Sequence, residues 1–524
     1  MGKTPLFLFW ANLFRRQPQR RYLDLQDRPR RLCAQVFCLL TLILGFTYLL
    51  WLSRLVLENR EASFFLFLAA EGLSFLLLSL LAYDVWNLRG HRPEGFKPER
   101  EWPVDVFIPC CREPFAVIKT TLQAVKGIAY GPMEVYVLDD APCREVALLA
   151  ESLGFHYLSR PESGLGLQDS KSGNLNFGLQ HSRGYLILVL DADQVPVPEI
   201  LQRLVGFFRL PRMAYVQSQQ AFLLPEGDPF YNGDRVFYEV LQLSNDQANA
   251  VISCGSGVLY HRQALEEIGG FATWNLVEDF TTSYELLSRG WRGLYFPYPL
   301  SRGLAPATLA GVYRQRFQWC LDTMRLFFWD NPLWKRGLNW PQKRHFLIVM
   351  LSYLVSGLAF PIFAAVPLIV YLRGFSFLQG YELSYGVLRL AYLAATILMF
   401  RYLFFHKEAL KQFKILCSLF PVHALAIGTA LLYPPGRKPA YRTNNHRPFA
   451  DPEGWWQVAP QLGLIGLHLT LPFISMWQGW APPGLVFFNS FFSAFIIWVL
   501  GDLVLAVVDK PKWSPATDPR QVYG

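Results

Sequence analysis

Long apolar runs bracket a central segment of mixed composition. Two runs precede it, at 32–57 and 62–83, and only a short polar link separates them. Later runs occupy 345–372, 383–405, 415–433, 460–477 and 485–508. Because about 20 apolar residues in a helix are enough to cross a bilayer, the pattern predicts a multi-pass membrane protein with a soluble domain between its helices. The second run contains a carboxylate, Glu71, which either has a function or bonds to another helix.

The run at 415–433 admits two interpretations. It contains Pro421 and His423 and follows a polar, basic patch, so it either spans the membrane or lies flat in the interface. If it spans, the basic loop 434–456 falls outside the cell, and if it lies flat, that loop is cytoplasmic. Basic loops favour the cytoplasmic side. This favours the flat arrangement and about six spanning helices, two before the soluble domain and four after it.

The central segment has the pattern of an α/β domain. Short, unbroken apolar runs alternate with helix-like stretches, which is typical of a mostly parallel sheet buried on both faces. These runs lie at 104–108, 134–138, 185–190 and 214–217. Two of them end in acidic residues, Asp139-Asp140 and Asp191-Ala192-Asp193. Since open α/β sheets bind ligands at the carboxyl ends of their strands, we expect these carboxylates to lie at a binding site.

Composition and charge narrow the class of protein. Apolar residues make up 52% of the chain, which excludes a disordered protein. The net charge is +9, but eight Lys or Arg against two Asp in the first 32 residues supply most of it. That bias is a positive-inside signal and leaves no basic face for nucleic acid. The eight cysteines include no CxxC pair, which predicts free thiols in a reducing compartment.

Several motifs that carry chemistry follow one another along this domain. Two carboxylates separated by one residue, as in Asp191 and Asp193, can hold a hard divalent cation that bridges a diphosphate. Upstream, Lys171 begins a Lys-Ser-Gly-Asn motif at a predicted helix start and offers a positive charge to phosphate. Downstream lie the turn Cys254-Gly255-Ser256-Gly257, the pair Glu278-Asp279 and the motif Gln315-Arg316-Phe317-Gln318-Trp319. Each motif alone is weak, but their order between membrane helices is specific.

With these motifs, the chain resembles the processive family-two glycosyltransferases, and bacterial cellulose synthase catalytic subunits in particular, over about 105–456. The resemblance implies a GT-A-like α/β domain that binds a nucleotide sugar. In that domain Asp139 and Asp140 would contact the nucleotide. Glu113 would belong to the site of the nucleotide base, and Lys171 would lie near the phosphates.

The resemblance also implies a metal-dependent reaction. Asp193 would be the main ligand of Mg²⁺ or Mn²⁺, with Asp191 beside it. Asp279 would be the general base, with Glu278 next to it.

Further roles follow from the resemblance for the acceptor and for a loop over the donor. The motif at 315–319 would lie on an interfacial helix near 312–330. The acceptor sugar would contact Cys254, Gly255 and Trp319, while the donor side would involve Gln315, Arg316 and Gln318. A gating loop at 434–456 would close over the donor through Lys438, Tyr441, Arg442 and Thr443.

Three positions depart from the pattern of cellulose synthases. Cys111 stands where a Tyr near the uracil is common, and Gln194 stands where His often follows the metal motif. Gln318 replaces the Arg of the last motif, and this loses a charge-assisted contact worth about 1.5–3 kcal/mol. Arg316, Arg314 or a loop arginine such as Arg442 could compensate for the lost charge.

The predicted domains follow one another without overlap. They are a basic cytoplasmic N-terminus at 1–31, a membrane hairpin at 32–86, the glycosyltransferase domain at 87–344, membrane helices at 345–508 with the interfacial segment 415–433, and a cytoplasmic tail at 509–524. We expect a plasma (inner) membrane location, with the catalytic domain and both termini on the cytoplasmic side. The stretch after 456 leaves no room for a β-barrel that binds a cyclic dinucleotide, so we expect no activation of that kind in cis.

These observations lead to one expected function and two alternatives. The expected function is an inverting glycosyltransferase that extends a β-linked, cellulose-like glucan from a UDP-sugar, with UDP-glucose as the expected donor, and translocates it. Its partners would be the UDP-sugar, the polysaccharide, the lipid bilayer and accessory membrane or periplasmic subunits, with no nucleic acid. One alternative is a non-processive transferase that adds a sugar to a lipid or carrier-linked acceptor. The other is a catalytically silent scaffold of a secretion complex, against which the retained aspartates argue.

Overall fold

The structure is a computed structural model that describes residues 28–59, 62–86, 101–374, 380–403, 408–439, 454–508, 512–514 and 518. Its strands are β1 Val104–Cys110, β2 Met133–Asp139, β3 His156–Leu158, β4 Leu186–Val189, β5 Val195–Pro196, β6 Met213–Leu223, β7 Val258–His261 and β8 Arg292–Leu304. The helices before the last strand are α1 Arg28–Asn59, α2 Ala62–Val85, α3 Phe115–Lys126, α4 Arg144–Leu153, α5 Ser170–His181, α6 Ile200–Leu204, α7 Gln242–Gln247, α8 Arg262–Glu267 and α9 Glu278–Ser288. Those after it are α10 Leu309–Trp329, α11 Trp340–Leu354, α12 Phe360–Arg373, α13 Glu382–Leu403, α14 Glu408–Ser418, α15 Phe420–Leu432, α16 Ala459–Gln478 and α17 Pro483–Val508.

The eight strands form one sheet in the order β3-β2-β1-β4-β7-β6-β8-β5. The pairs β1–β2, β1–β4, β2–β3 and β6–β8 are parallel, whereas β4–β7, β6–β7 and β5–β8 are antiparallel. The predicted α/β class with a mostly parallel sheet is therefore confirmed. The predicted strands at 104–108, 134–138, 185–190 and 214–217 correspond to β1, β2, β4 and β6.

Both faces of the sheet are buried, which explains the unbroken apolar runs. Along β1, Val106 and Ile108 join a core that includes Leu122 of α3. Phe107, which points the other way, belongs to a second core that includes Leu81 of α2 and Leu503 of α17. The second core therefore continues from the soluble domain into the long apolar helices.

Six helical stretches in the described residues are long and apolar enough to cross a membrane. They are Arg31–Glu58, Phe64–Val85, Trp340–Arg373, Glu382–Leu403, Trp455–Gln478 and Pro483–Val508. Their number agrees with the prediction of about six. The segment at 408–432 is different because α14 and α15 meet at an angle of 58°, so it is not one straight helix.

Polar contacts join the soluble domain to the ends of these helices. Asp84, near the end of α2, pairs with Arg344 and lies 3.2 Å from a ring nitrogen of His345. Its main-chain oxygen accepts a hydrogen bond from Ser244 Oγ at 3.0 Å. These contacts link α7 of the soluble domain to α2 and α11.

Candidate active site

The carboxyl ends of β1 and β2 bring the predicted nucleotide-binding residues side by side. Cys110 at the end of β1 is in register with Asp139 at the end of β2, and Cys110 O accepts the Asp140 N–H at 3.0 Å. The Glu113 carboxylate accepts the N–H of Cys111. The acid predicted for the base site therefore caps the turn after β1, next to the acidic pair.

The two acids after β2 have different partners. Asp139 Oδ1 accepts the Ala141 N–H at 2.9 Å, and Oδ2 accepts the Tyr157 hydroxyl at 2.9 Å. Burial nevertheless raises the pKa of Asp139. Asp140 is buried in an ion pair with Arg160, whose Nε lies 2.8 Å from Asp140 Oδ1. The negative charge of Asp139 is therefore neutralised less than that of Asp140.

Lys171, in the first turn of α5, is the centre of the site. Its Nζ lies 2.6 Å from Asp191 Oδ1, 3.0 Å from Glu278 Oε1 and 3.0 Å from Gly255 O. Burial alone would lower the pKa of Lys171, but the carboxylates of Asp191 and Glu278 raise it well above its ordinary value. One ammonium group thus brings together the metal motif, the glycine turn and the acidic pair, which are far apart in sequence.

Gly255 allows the close approach of these groups. Its φ is +73°, and a Cβ there would lie 3.0 Å from Asp279 Oδ2 and 3.1 Å from Lys171 Nζ. Gln217 holds the turn in place, because its Oε1 accepts the Cys254 N–H at 2.7 Å. Ser256 Oγ accepts the Asp191 N–H at 2.9 Å. The turn predicted to contact the acceptor therefore lies between the general-base candidate and the metal motif.

Asp279 has the environment of a general base. It lies in the first turn of α9, where its Oδ1 accepts the Phe280 N–H at 2.6 Å. Burial and the neighbouring Glu278 raise its pKa, whereas Lys171 lowers it. A half-buried carboxyl with a raised pKa beside a fixed cation suits proton transfer near neutral pH.

The metal motif supplies two carboxylates. Asp191 is about one-third exposed and pairs with Lys171, while Asp193 is buried and its Oδ2 accepts the Leu304 N–H at 3.2 Å. Over the parts of the chain that the structure describes, no three His, Cys, Asp or Glu side chains are grouped to hold a metal ion. A cation here would need further ligands from substrate or water.

The predicted donor and acceptor motif lies on α10. Arg316 pairs with Asp234 at 2.8 Å and lies over the ring of Trp319, 4.6 Å from its centroid. Gln318 Nε2 donates to Asp322 Oδ2 at 2.9 Å, and burial raises the pKa of Asp322 to about 7. Gln315 lies half-buried on the same helix. Arg316 is thus paired with a carboxylate and Gln318 is uncharged, so neither residue of the motif supplies a free cation.

Of the four residues named for the predicted gating loop, the structure describes Lys438. Lys438 forms an ion pair with Asp169, the residue before α5, and so lies near the helix that carries Lys171. Tyr441, Arg442 and Thr443 lie outside the described residues.

Residues 102–321 match the protein-family model described as glycosyltransferase like family 2. This segment is a family-two glycosyltransferase domain. The mannosyltransferase PcManGT from Pyrobaculum calidifontis, solved in complex with GDP-Man and Mn²⁺, shares its fold with a TM-score of 0.52 at 18% identity, over 70% of this chain and 99% of that one. The GT-A-like fold is therefore confirmed.

The chain is also similar to curated bacterial enzymes. It is 34% identical over 304 residues to cellulose synthase 1 of Komagataeibacter xylinus, covering 55% of this chain and 19% of that protein. It is 32% identical over 385 residues to the cellulose synthase catalytic subunit (UDP-forming) of Pseudomonas fluorescens, covering 70% of this chain and 51% of that protein. The chain thus spans from about a fifth to about half of the length of these relatives.

The glycosyltransferase domain contains site residues that its sequence motifs do not mark. Arg160 neutralises Asp140 and donates to Gln168 O at 2.6 Å and Ser170 O at 2.9 Å, at the start of α5. Asp322 lies four residues after Gln318 and holds its amide. The spacing to Gln318 could have indicated Asp322, whereas the 20-residue separation of Arg160 from Asp140 gives no such signal.

Proposed function

We propose that the glycosyltransferase domain transfers a sugar from a UDP-sugar, with UDP-glucose as the expected donor, to a growing β-linked polysaccharide. The cluster of Asp191, Glu278 and Asp279 around Lys171 carries this proposal. The relatives named as cellulose synthases support the polysaccharide product. The six apolar helices beside the domain support a membrane location and passage of the product across the bilayer.

Asp279 is the proton acceptor in this mechanism. Its carboxylate takes the proton of the acceptor hydroxyl as the hydroxyl oxygen attacks the anomeric carbon. The bond to UDP breaks on the opposite face, so that the configuration inverts. Lys171 holds the surrounding carboxylates at fixed positions, and Trp319 presents an aromatic face to a sugar ring.

Asp193 and Asp191 would hold a divalent cation, Mg²⁺ or Mn²⁺. Their carboxylate oxygens are the donors that hard cations prefer, and such ions complete their shells with substrate phosphates and water. When bound, the cation neutralises charge that develops on the leaving diphosphate. Asp191 would then exchange part of its contact with Lys171 for the cation.

The test is UDP release by the full chain, purified in detergent and given a panel of UDP-sugars with Mg²⁺ or Mn²⁺. We expect release that Asp193→Asn and Asp279→Asn each abolish. Glu199→Gln, an exposed acid near the metal motif, is the control and should keep wild-type turnover. Unchanged turnover in either aspartate variant would refute the assignment, and an inactive wild type would favour the scaffold alternative.

Gln318 favours a second candidate, a non-processive transferase that adds one sugar to a lipid or carrier-linked acceptor. Its amide is bonded to Asp322, so this position does not supply the arginine contact that the resemblance implies for a processive synthase. Product length separates the two functions, because a polymer supports the synthase and a single added sugar supports the alternative. In Gln318→Arg we expect the new cation to pair with Asp322 and to change the KM for the UDP-sugar by less than about threefold. A larger fall in KM would contradict this pairing.

A further inference from the structure

One face of α10 carries three polar side chains that the proposed mechanism does not use. Gln318, Asp322 and Arg325 are spaced by four and three residues, which places them in one row along the helix. Asp322 is buried, and Arg325 is completely buried. Buried charges are costly unless hydrogen bonds satisfy them, so the partners of this row show what it holds in place.

Asp322 holds the turn that leads into the general-base candidate. Its Oδ1 accepts the Leu276 N–H at 3.2 Å, and its main-chain oxygen accepts Asn275 Nδ2 at 3.0 Å. The turn 274–277 continues directly into Glu278 and Asp279. The position of the Asp279 carboxyl therefore depends on contacts made from α10.

Arg325 joins the same turn to a distant part of the chain. Its Nη1 donates to Asn275 Oδ1 at 3.0 Å and to Trp274 O at 3.3 Å. On its other side, Nε donates to Tyr433 O at 3.1 Å and Nη2 donates to Pro434 O at 3.2 Å. One guanidinium group thus bridges the turn before Asp279 and the segment 433–437.

The segment fastened by Arg325 leads to the donor side of the site. Lys438, the next residue after it, pairs with Asp169, two residues before Lys171. Arg325 also bonds Arg437 O at 3.4 Å. The described start of the loop after α15 is therefore held by α10 on one side and by the beginning of α5 on the other.

We propose that Asp322 and Arg325 are positioning residues for sugar transfer, which fix the turn 274–277, and with it Asp279, to the segment 433–437. This inference rests on the proposed function for its kinetic consequence, but not for its structural one. A base displaced by about 1 Å can lose on the order of 10²-fold in rate. Loss of the Asp322 contacts to this turn should therefore reduce kcat and leave donor binding intact.

Three variants test the proposal. Asp322→Leu removes both side-chain acceptors, and we expect kcat for UDP release to fall by about 10- to 100-fold with the KM for the UDP-sugar within about twofold. Asp322→Asn can still accept the Leu276 N–H, while the Gln318 amide can turn to accept from it, so we expect it to recover most of the lost kcat. In Arg325→Lys a single ammonium cannot reach acceptors on both sides.

Hydrogen–deuterium exchange provides a readout that does not depend on activity. We expect faster amide exchange in peptides covering 274–281 in Asp322→Leu, and in both 274–281 and 433–438 in Arg325→Lys. The control is Arg262→Lys. Arg262 is another largely buried arginine, bonded to Gly184 O and Asp105. Its replacement should change neither the amide exchange of the two segments nor kcat.

The possible outcomes separate this inference from the proposed function. Wild-type exchange and kcat in Asp322→Leu would overturn the inference, as would a loss confined to donor KM. If the wild-type protein releases no UDP from any donor, the proposed function fails, and the exchange data still decide whether α10 fixes the two segments.

Discussion

At Gly255 the backbone itself limits how the candidate catalytic groups Asp279 and Lys171 can be arranged. The residue has φ +73°, and its missing side chain leaves room for Asp279 and Lys171. Gly227 has the same φ, but a Cβ there would meet nothing within 4 Å. The two glycines therefore share one backbone requirement and differ in whether they face the site.

This pair of glycines gives a matched prediction. Gly255→Ala and Gly227→Ala should each lose about 1–2 kcal/mol of stability, because alanine disfavours the left-handed conformation. Only Gly255→Ala should also lose turnover, by on the order of 10²-fold, since the new methyl group displaces Asp279 or Lys171. Unfolding midpoints and UDP release on the same samples check both effects. Equal turnover in the two variants would show that close approach at Gly255 is not needed.

The raised pKa of Asp279 predicts how activity depends on pH. The carboxyl must be ionised to accept a proton, so kcat/KM should fall as pH decreases through this raised pKa, at higher pH than for an ordinary aspartate. Glu278→Gln removes the like charge that adds to the effect of burial, and we expect the acidic limb to move to lower pH. An acidic limb of the pH profile that Glu278→Gln does not move would contradict this origin of the raised pKa.

The raised pKa of Asp279 also affects stability, because the folded state binds this proton more tightly than the unfolded chain does. The contribution of Asp279 to the free energy of unfolding therefore decreases as pH rises through the pKa of the folded state.

At the residue scale, the sequence predicts those site residues that lie in local motifs. Asp191 follows a buried strand, Lys171 begins a helix and Asp279 belongs to an acidic pair, so each is visible without tertiary structure. Arg325 is not, because its acceptors include Tyr433, 108 residues away. A buried cation that binds main-chain carbonyl groups leaves no pattern in its partners' side chains.

At the scale of elements, strands buried on both faces were predictable and the last long strand was not. β8, Arg292–Leu304, contains Gly and Pro residues that usually interrupt strands. Its pairing with β6 accommodates them through register irregularities at Ser218, Gln219 and Gln220. Local pattern failed here because long-range pairing overrides local preference.

Glu71, for which the sequence admits either a function or a bond to another helix, forms a buried ion pair with Arg389 between two of the long helices. Glu71 on α2 accepts from Arg389 Nη1 of α13 at 2.6 Å and from Tyr48 of α1 at 3.2 Å. The structure therefore shows it bonded to two neighbouring helices. Its partners identify it as a link among α1, α2 and α13.

Replacing one partner of this ion pair should lower the free energy of unfolding more than replacing both partners. Glu71→Leu leaves Arg389 buried without its acid, and we expect a loss of about 3–5 kcal/mol. The double variant Glu71→Leu/Arg389→Leu should be more stable than the single one, because no unpaired charge remains. Unfolding in detergent measures both, with Leu76→Ala, an exposed position on α2, as the control. A double variant less stable than Glu71→Leu would contradict the pairing argument.

At the scale of the whole molecule, the glycosyltransferase domain and the long apolar helices form one packed unit. The core that contains Phe107 of β1 also contains Leu81 and Leu503 of the long helices, and Asp84 binds residues of both parts. The motif helix α10 packs against α15, where Trp329 Nε1 donates to Ala430 O at 2.9 Å. The position of α15 relative to the bilayer therefore determines where the loop after it emerges.

The bent segment α14–α15 decides whether that loop and the catalytic domain lie on the same side of the membrane. If the segment lies in the interface, the described residues contain six spans, and Gly166 of the domain and Gly436 after α15 are then on the same side of the membrane. If the segment spans, Gly436 is on the opposite side. Positively charged loops favour the first arrangement, and the 58° bend between the two helices is compatible with it.

Cysteine labelling distinguishes these arrangements. Gly166, Gly436 and Gly484 are exposed, and a Cβ at each would meet nothing within 4 Å, so each can be replaced by cysteine. The eight native cysteines are first replaced by serine or alanine. In intact cells, we expect a membrane-impermeant maleimide to label Gly484→Cys but not Gly166→Cys or Gly436→Cys. Inverted vesicles should give the reverse pattern. Labelling of Gly436→Cys from outside would show that α14–α15 spans the membrane, and the loop could then not reach the donor.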